Sequence, residues 1–107
     1  MATFVIVNRA PKNYTPSADA LAAFNVWFAR LGVNLVDRGN PVFDSRTLGN
    51  SGADTTLGGY TLIDADDLEA AVALANGHPL LRQGGGVEVG ELTVLNRGTR
   101  QIVDDPA

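Results

Sequence analysis

Thr3 to Asn8 is a β-branched and aromatic run with Phe4 and Ile6 on one side and Val5 and Val7 on the other, which predicts a strand that is apolar on both faces. Ala10-Pro11 breaks it. Thr15 followed by Pro16 then predicts an N-cap and first helical turn. Leu21, Phe24, Phe28 and Leu31 recur at helical spacing up to Gly32, with Trp27 at the edge of that stripe. Leu35 to Arg38 predicts a brief second strand, resumed from Val42 to Leu48 after the Gly39-Asn40-Pro41 turn. Gly49 to Thr56 is polar and contains glycine, the composition of a hairpin loop.

Tyr60 to Ile63 predicts the third strand. Asp66 is placed to N-cap a second helix, with Glu69 at its third position as in a capping box. Leu68, Ala71, Val72 and Ala75 form its apolar stripe, and Asn76-Gly77 ends it. The fourth strand follows Gly84 to Gly86. Its apolar phase passes from odd positions, Val87 and Val89, to even ones, Leu92 and Val94, which predicts a bulge or kink at Gly90-Glu91.

The order βαββαβ predicts an α+β, ferredoxin-like fold: an antiparallel four-stranded sheet with two helices on one face. Two helices cover one face only. Because the first strand is apolar on both, an identical sheet from a second copy is the simplest cover for the other, so a homodimer through the sheet face is expected, closing a dimeric α+β barrel. With 107 residues the chain is expected to form a single domain over residues 1–96, followed by a polar tail over 97–107.

Composition narrows the function classes. Hydrophobic residues make up 45% and charged residues 19%, an ordinary globular balance. Twelve acidic side chains outnumber eight basic ones, for a net charge of −4, and the arginines are scattered; neither nucleic acid nor an anionic membrane is an expected partner. The absence of cysteine removes thiolate chemistry and sulfur-ligated zinc. The apolar run Phe4 to Val7 has no basic segment before it and is too short for a signal peptide or a membrane span, so a cytoplasmic location is expected.

LGVNLVDRGNPV in the middle of the chain, then LGGYTLIDADDLEAAVALANGHPLL and GGGVEVGEL, together resemble the YCII-related proteins, small bacterial chains that form dimeric α+β barrels and whose roles are mostly unassigned. The resemblance rests on Gly58-Gly59-Tyr60, the acidic helix start from Asp64 to Glu69, His78-Pro79 and Val87-Glu88-Val89. It implies the same fold and dimer. Some family members carry a histidine on the first helix paired with an aspartate near the second strand. The corresponding stretch here, Ala22-Ala23-Phe24-Asn25, has no histidine, although Asp37 can stand as the aspartate.

In a βαββαβ sheet the ends of the first two strands and the beginnings of the last two lie at one end, which gathers Asn8, Arg9, Asp37, Arg38, Tyr60, His78 and Glu88. His78, the only imidazole, is the candidate proton carrier, oriented by Asp37 or Glu88; as a structural residue it would sit past the second helix with a partly cationic ring against the helix dipole. Arg9 or Arg38 can hold an anionic ligand, Asn8 and Glu88 can bond to it, and Tyr60 can either offer its hydroxyl or pack as a core ring. Gly84 to Gly86 leads into a strand, not into a helix N-terminus, so it does not read as a phosphate loop. Helix capping accounts for Asp64, Asp66, Asp67 and Glu69 without a metal. No cofactor is expected. Two functions remain open: a non-catalytic dimeric module binding a small organic ligand, and a cofactor-free acid–base enzyme, lyase or isomerase in type, acting on a small anionic or phenolic substrate.

Overall fold

The computed structural model describes residues 1–52 and 54–93. Four strands and two helices follow in the order β1 (Ala2–Pro11), α1 (Ala18–Leu31), β2 (Leu35–Asp37), β3 (Thr55–Ala65), α2 (Leu68–Ala75) and β4 (Gly86–Glu91). They form one antiparallel sheet in the order β2-β3-β1-β4, the ferredoxin-like arrangement expected for βαββαβ. The two long strands are central and share the longest ladder, from Ala2 opposite Ala65 to Pro11 opposite Thr55.

Alternation along β1 separates the faces. Phe4, Ile6, Asn8 and Ala10 are buried beneath the helices, and Val5 and Val7 are half-buried on the other side opposite Leu62 and Tyr60. The core joins Phe4, Ile6, Ile63 and Ala65 of the sheet to Trp27 and Leu31 of α1 and to Ala71 and Ala75 of α2. Both helices therefore lie on one face, and among the described residues no helix lies over the face carrying Val5, Val7 and Leu62.

Several local expectations are corrected. Helix α1 is capped by Ser17, whose Oγ accepts the Ala20 N–H at 3.1 Å, and Thr15-Pro16 lies before it. Its buried stripe is Ala20, Trp27 and Leu31, with Phe24 packed beside them. Trp27 is 3% exposed, not marginal, because its indole N–H reaches the Leu74 carbonyl on α2 at 3.0 Å and so has a partner inside the core. Leu21 falls outside the stripe and is exposed.

Helix α2 is capped by Asp67, whose carboxylate accepts the Ala70 N–H at 2.8 Å, so Asp66 is not the cap and Glu69 is not positioned for a capping box. Leu68 and Val72 are about half exposed; Ala71 and Ala75 are the buried residues, with Ala70 and Leu74 packed alongside the core. Strand β3 is much longer than Tyr60 to Ile63. The expected strand from Val42 to Leu48 reduces to a bridge between Pro41 and Gly59, with the Val42 N–H bonded to the Gly58 carbonyl at 2.9 Å.

The expected kink at Gly90-Glu91 is absent. β4 pairs in register with β1 through Glu91, and the Leu92 N–H continues the ladder to the Thr3 carbonyl. Val94, whose phase suggested the kink, and the tail 97–107 lie outside the described residues. The irregularity is instead between β1 and β3: Asn8 faces Gly59 and Arg9 faces Leu57, which leaves Gly58 as the extra residue of a bulge.

Candidate ligand-binding cleft

At the end of the sheet where β1 finishes and β3 begins, a cleft of about 830 Å³ opens between α1, the sheet and the segment after β2. One wall is the outer turn of α1, with Leu21, Phe24 and Phe28. The floor is the helix-facing side of the central strands, including Asn8, Ala10 and Thr61. The opposite wall is the chain from Arg38 to Phe43. That chain comes close because glycines leave room for it. Gly39 sits at φ +73° directly against the Tyr60 backbone, where a Cβ would lie 1.7 Å from the carbonyl oxygen, and a Cβ at Gly59 would lie 2.8 Å from the Asn40 carbonyl oxygen.

The cleft is mostly apolar, with a few polar groups. Arg38 lies over the Phe28 ring, its guanidinium carbon 4.4 Å from the ring centre, and donates to Asn25 Oδ1 at 3.1 Å. The buried Thr61 hydroxyl donates to the Arg38 carbonyl at 3.1 Å, which ties β3 to the segment it supports. Asn40 donates to the Tyr60 hydroxyl at 3.2 Å, and Tyr14 donates to Gln83 across the far end. Among the described residues lining the cleft there is no aspartate, glutamate or histidine; Arg38 is its one charged group.

His78 does not line this space. It is 2% exposed, packed edge-on against Phe24 and Trp27 with ring centres 5.2 and 4.7 Å away. Its Nδ1 accepts the Leu80 N–H at 3.1 Å, capping the 3-10 turn Pro79–Arg82. An accepting Nδ1 puts the proton of the neutral ring on Nε2, which is buried and has no hydrogen-bond partner among the described residues. Its neighbours are aromatic rings, whose faces are weak acceptors for such a donor. Burial pushes the pKa down from 6.5 to about 4, so the ring is neutral near pH 7 and is not the cation expected beside the helix dipole.

The seven residues expected to converge therefore separate. Asn8, Arg38 and Tyr60 line the cleft. Arg9 is committed to Thr55, through Nε to the hydroxyl at 2.7 Å and a terminal nitrogen to the carbonyl at 2.9 Å. Asp37 is exposed and accepts the Gly39 N–H at 2.8 Å, closing the turn after β2. Glu88 is exposed on β4 opposite Val7. Neither carboxylate orients His78, so the expected pairing of His78 with Asp37 or Glu88 is not formed. Sequence reasoning missed the aromatic wall, which looked like helix core, and the wall from Pro41 to Phe43, which looked like the end of a turn and the start of a strand. Two adjacent glycines inside a strand were the available signal that another backbone passes close by.

No family model matches the chain, and no curated protein matches it. Among solved structures it is similar to 5-chloro-2-hydroxyhydroquinone dehydrochlorinase from Burkholderia phenoliruptrix AC1100 in complex with 2,5-dihydroxybenzoquinone, at 18% identity and a TM-score of 0.59, over 85% of this chain and 93% of that one. At that identity the likeness is one of fold.

Proposed function

We propose that this chain is a YCII-related protein acting as a homodimeric small-molecule-binding module, and that its cleft takes a planar aromatic compound with hydroxyl, carbonyl or anionic substituents. The observation that carries this reading is the cleft itself: an aromatic and aliphatic wall from α1, a polar floor, and Arg38 as the one charged group lining it among the described residues. Apolar pockets with a few placed polar groups are the usual form of small-molecule sites. The guanidinium on Phe28 favours an anionic substituent at the rim. Dimerisation is supported by the sheet face that no helix covers among the described residues, where Val5, Val7 and Leu62 are only half-buried.

A second reading, a cofactor-free acid–base step on a phenolic substrate, is favoured by the fold likeness to a dehydrochlorinase that holds a dihydroxybenzoquinone. In that case the buried His78 is an unsuitable proton carrier. Tyr14 and Tyr60 are the tyrosines among the described residues lining the cleft, Tyr60 from the strand position opposite Val7.

A thermal-shift screen with phenols, hydroxyquinones and aromatic carboxylates tests the binding reading, because a ligand bound only by the folded chain raises its apparent stability. Hits are expected among planar aromatics. Arg38→Ala should weaken the carboxylates selectively and leave neutral phenols close to their original affinity. Absence of any stabilising aromatic would remove the proposal, and turnover of a hit would favour the second reading.

A further inference from the structure

We infer that Asn8 is the residue by which the cleft selects its ligand, reading one hydroxyl or carbonyl group on an otherwise apolar aromatic molecule, and that Gly58 holds it in place; this rests on the ligand-binding reading above. Asn8 is 7% exposed, lines the cleft floor, and makes no side-chain hydrogen bond to any described residue. An amide carries two donors and an acceptor oxygen, and since neither Asn8 atom is among the buried side-chain atoms without a partner, its polar end opens to the cleft although the residue as a whole is buried. The polar residues beside it are already engaged: Thr61 with the Arg38 carbonyl, Tyr60 with Asn40, Tyr14 with Gln83. Asn13 and Thr15 also line the cleft but are exposed; of the buried polar residues in its lining, Asn8 and Thr61, the Asn8 amide is the one without a bond to another described residue, and it sits where an occupant of the cleft would complete its bonding.

The bulge explains why an asparagine fits there. Gly58 is the unpaired residue opposite the Asn8/Arg9 step, and a Cβ on it would lie 2.3 Å from Asn8 Oδ1. The missing side chain leaves the space that the amide fills. Bulges often re-aim a side chain next to a site, and this one combines the extra residue with a glycine. On a strand whose other helix-facing residues, Phe4, Ile6 and Ala10, are apolar and packed, Asn8 is the single polar one. A binding site built to bond a polar substituent discriminates strongly against the analogue that lacks it, because its own buried group then goes unpaired.

The test uses matched probes, 2-naphthol and naphthalene, with affinities measured by titration calorimetry or equilibrium dialysis on the full chain. The wild type is expected to prefer 2-naphthol by about tenfold or more, the scale of one well-placed buried hydrogen bond. Asn8→Leu, close in size, should bring the two affinities together while naphthalene binding is kept. Gly58→Ala leaves the amide chemistry intact and moves its position, so it should also narrow the preference, and it serves as the second variant if Asn8→Leu folds poorly by circular dichroism. Asn8→Asp keeps an acceptor and loses the donors; it should retain 2-naphthol and lose 1,4-naphthoquinone, which only accepts. If both hydrocarbon and naphthol bind but the preference survives in Asn8→Leu and Gly58→Ala, the role of Asn8 is overturned and the cleft reading stands. If neither probe binds the wild type, both fall.

Discussion

Replacing His78 by asparagine should remove most of the loss of stability that the protein suffers between pH 6.5 and pH 4. The buried ring stays neutral in the folded chain down to about pH 4, whereas in the unfolded chain it takes up a proton below its ordinary value of 6.5. Between those values the unfolded chain binds more protons, so stability falls as the pH falls, and it levels off below about pH 4 as far as this group is concerned. With each tenfold difference in proton affinity corresponding to about 1.4 kcal/mol, the whole span is roughly 3 kcal/mol, and the part between pH 7.5 and pH 5 is roughly 2 kcal/mol. For a domain of this size that moves a urea midpoint by on the order of 1 M. Asparagine is a good N-cap, and its oxygen can accept the Leu80 N–H that Nδ1 now accepts, so the turn Pro79–Arg82 is kept while the titrating group is lost. The variant will be less stable overall, because the ring's place under Phe24 and Trp27 is only partly filled. The quantity to compare is the slope with pH, since every titrating group other than residue 78 is common to both proteins. Urea unfolding at four pH values, with the His78 ring followed by NMR, measures it. Parallel slopes in the two proteins, or a ring that titrates near 6.5, would refute the reasoning.

Three further outcomes are expected. Val7→Glu, on the helix-free face, should convert a sedimenting dimer into a monomer without changing the circular dichroism spectrum; a wild type that already sediments as a monomer at micromolar concentration would sink the dimer proposal. Gly39→Ala should lower the melting temperature by at least several degrees, because the new Cβ would meet the Tyr60 carbonyl at 1.7 Å and the residue would still need a positive φ; an unchanged melting curve would mean the segment does not sit there. Asp67→Ala should cost about 1 kcal/mol by loss of the α2 cap, whereas Asp66→Ala should be close to neutral, a difference that chemical denaturation resolves.

The comparison of Asp66 with Asp67 shows what could be read from the chain and what could not. Element order, the two-faced character of β1 and the ferredoxin-like sheet follow from apolar periodicity, a property of each segment alone. Which of two adjacent aspartates caps a helix depends on a single backbone dihedral, and periodicity does not reach that level of detail. Periodicity leaves Trp27 at the margin of its stripe because its partner, the Leu74 carbonyl, is 47 residues away on another helix. The candidate site divides in the same way. Topology alone brought Asn8, Arg38 and Tyr60 to one end of the sheet. The fates of Arg9, Asp37 and His78 were decided by short-range bonds to Thr55, Gly39 and Leu80, each of which competes for a side chain that was expected to be free.

The wall from Pro41 to Phe43 leans on β3 through one bridge and one backbone hydrogen bond, and the Phe43 side chain is 88% exposed. Its attachment uses main-chain atoms and glycines on the strand beneath, so the side chains at positions 41 to 43 are largely free of any duty to the core. On the ligand-binding proposal, the cleft divides its labour between a helix whose aromatic residues also serve folding and a backbone-hung panel whose side chains are left for the ligand. Exchanging residues on that panel would re-tailor the ligand at little risk to the sheet. In a lineage of such proteins, diversification of specificity should concentrate on those three positions while the glycines that carry them stay fixed.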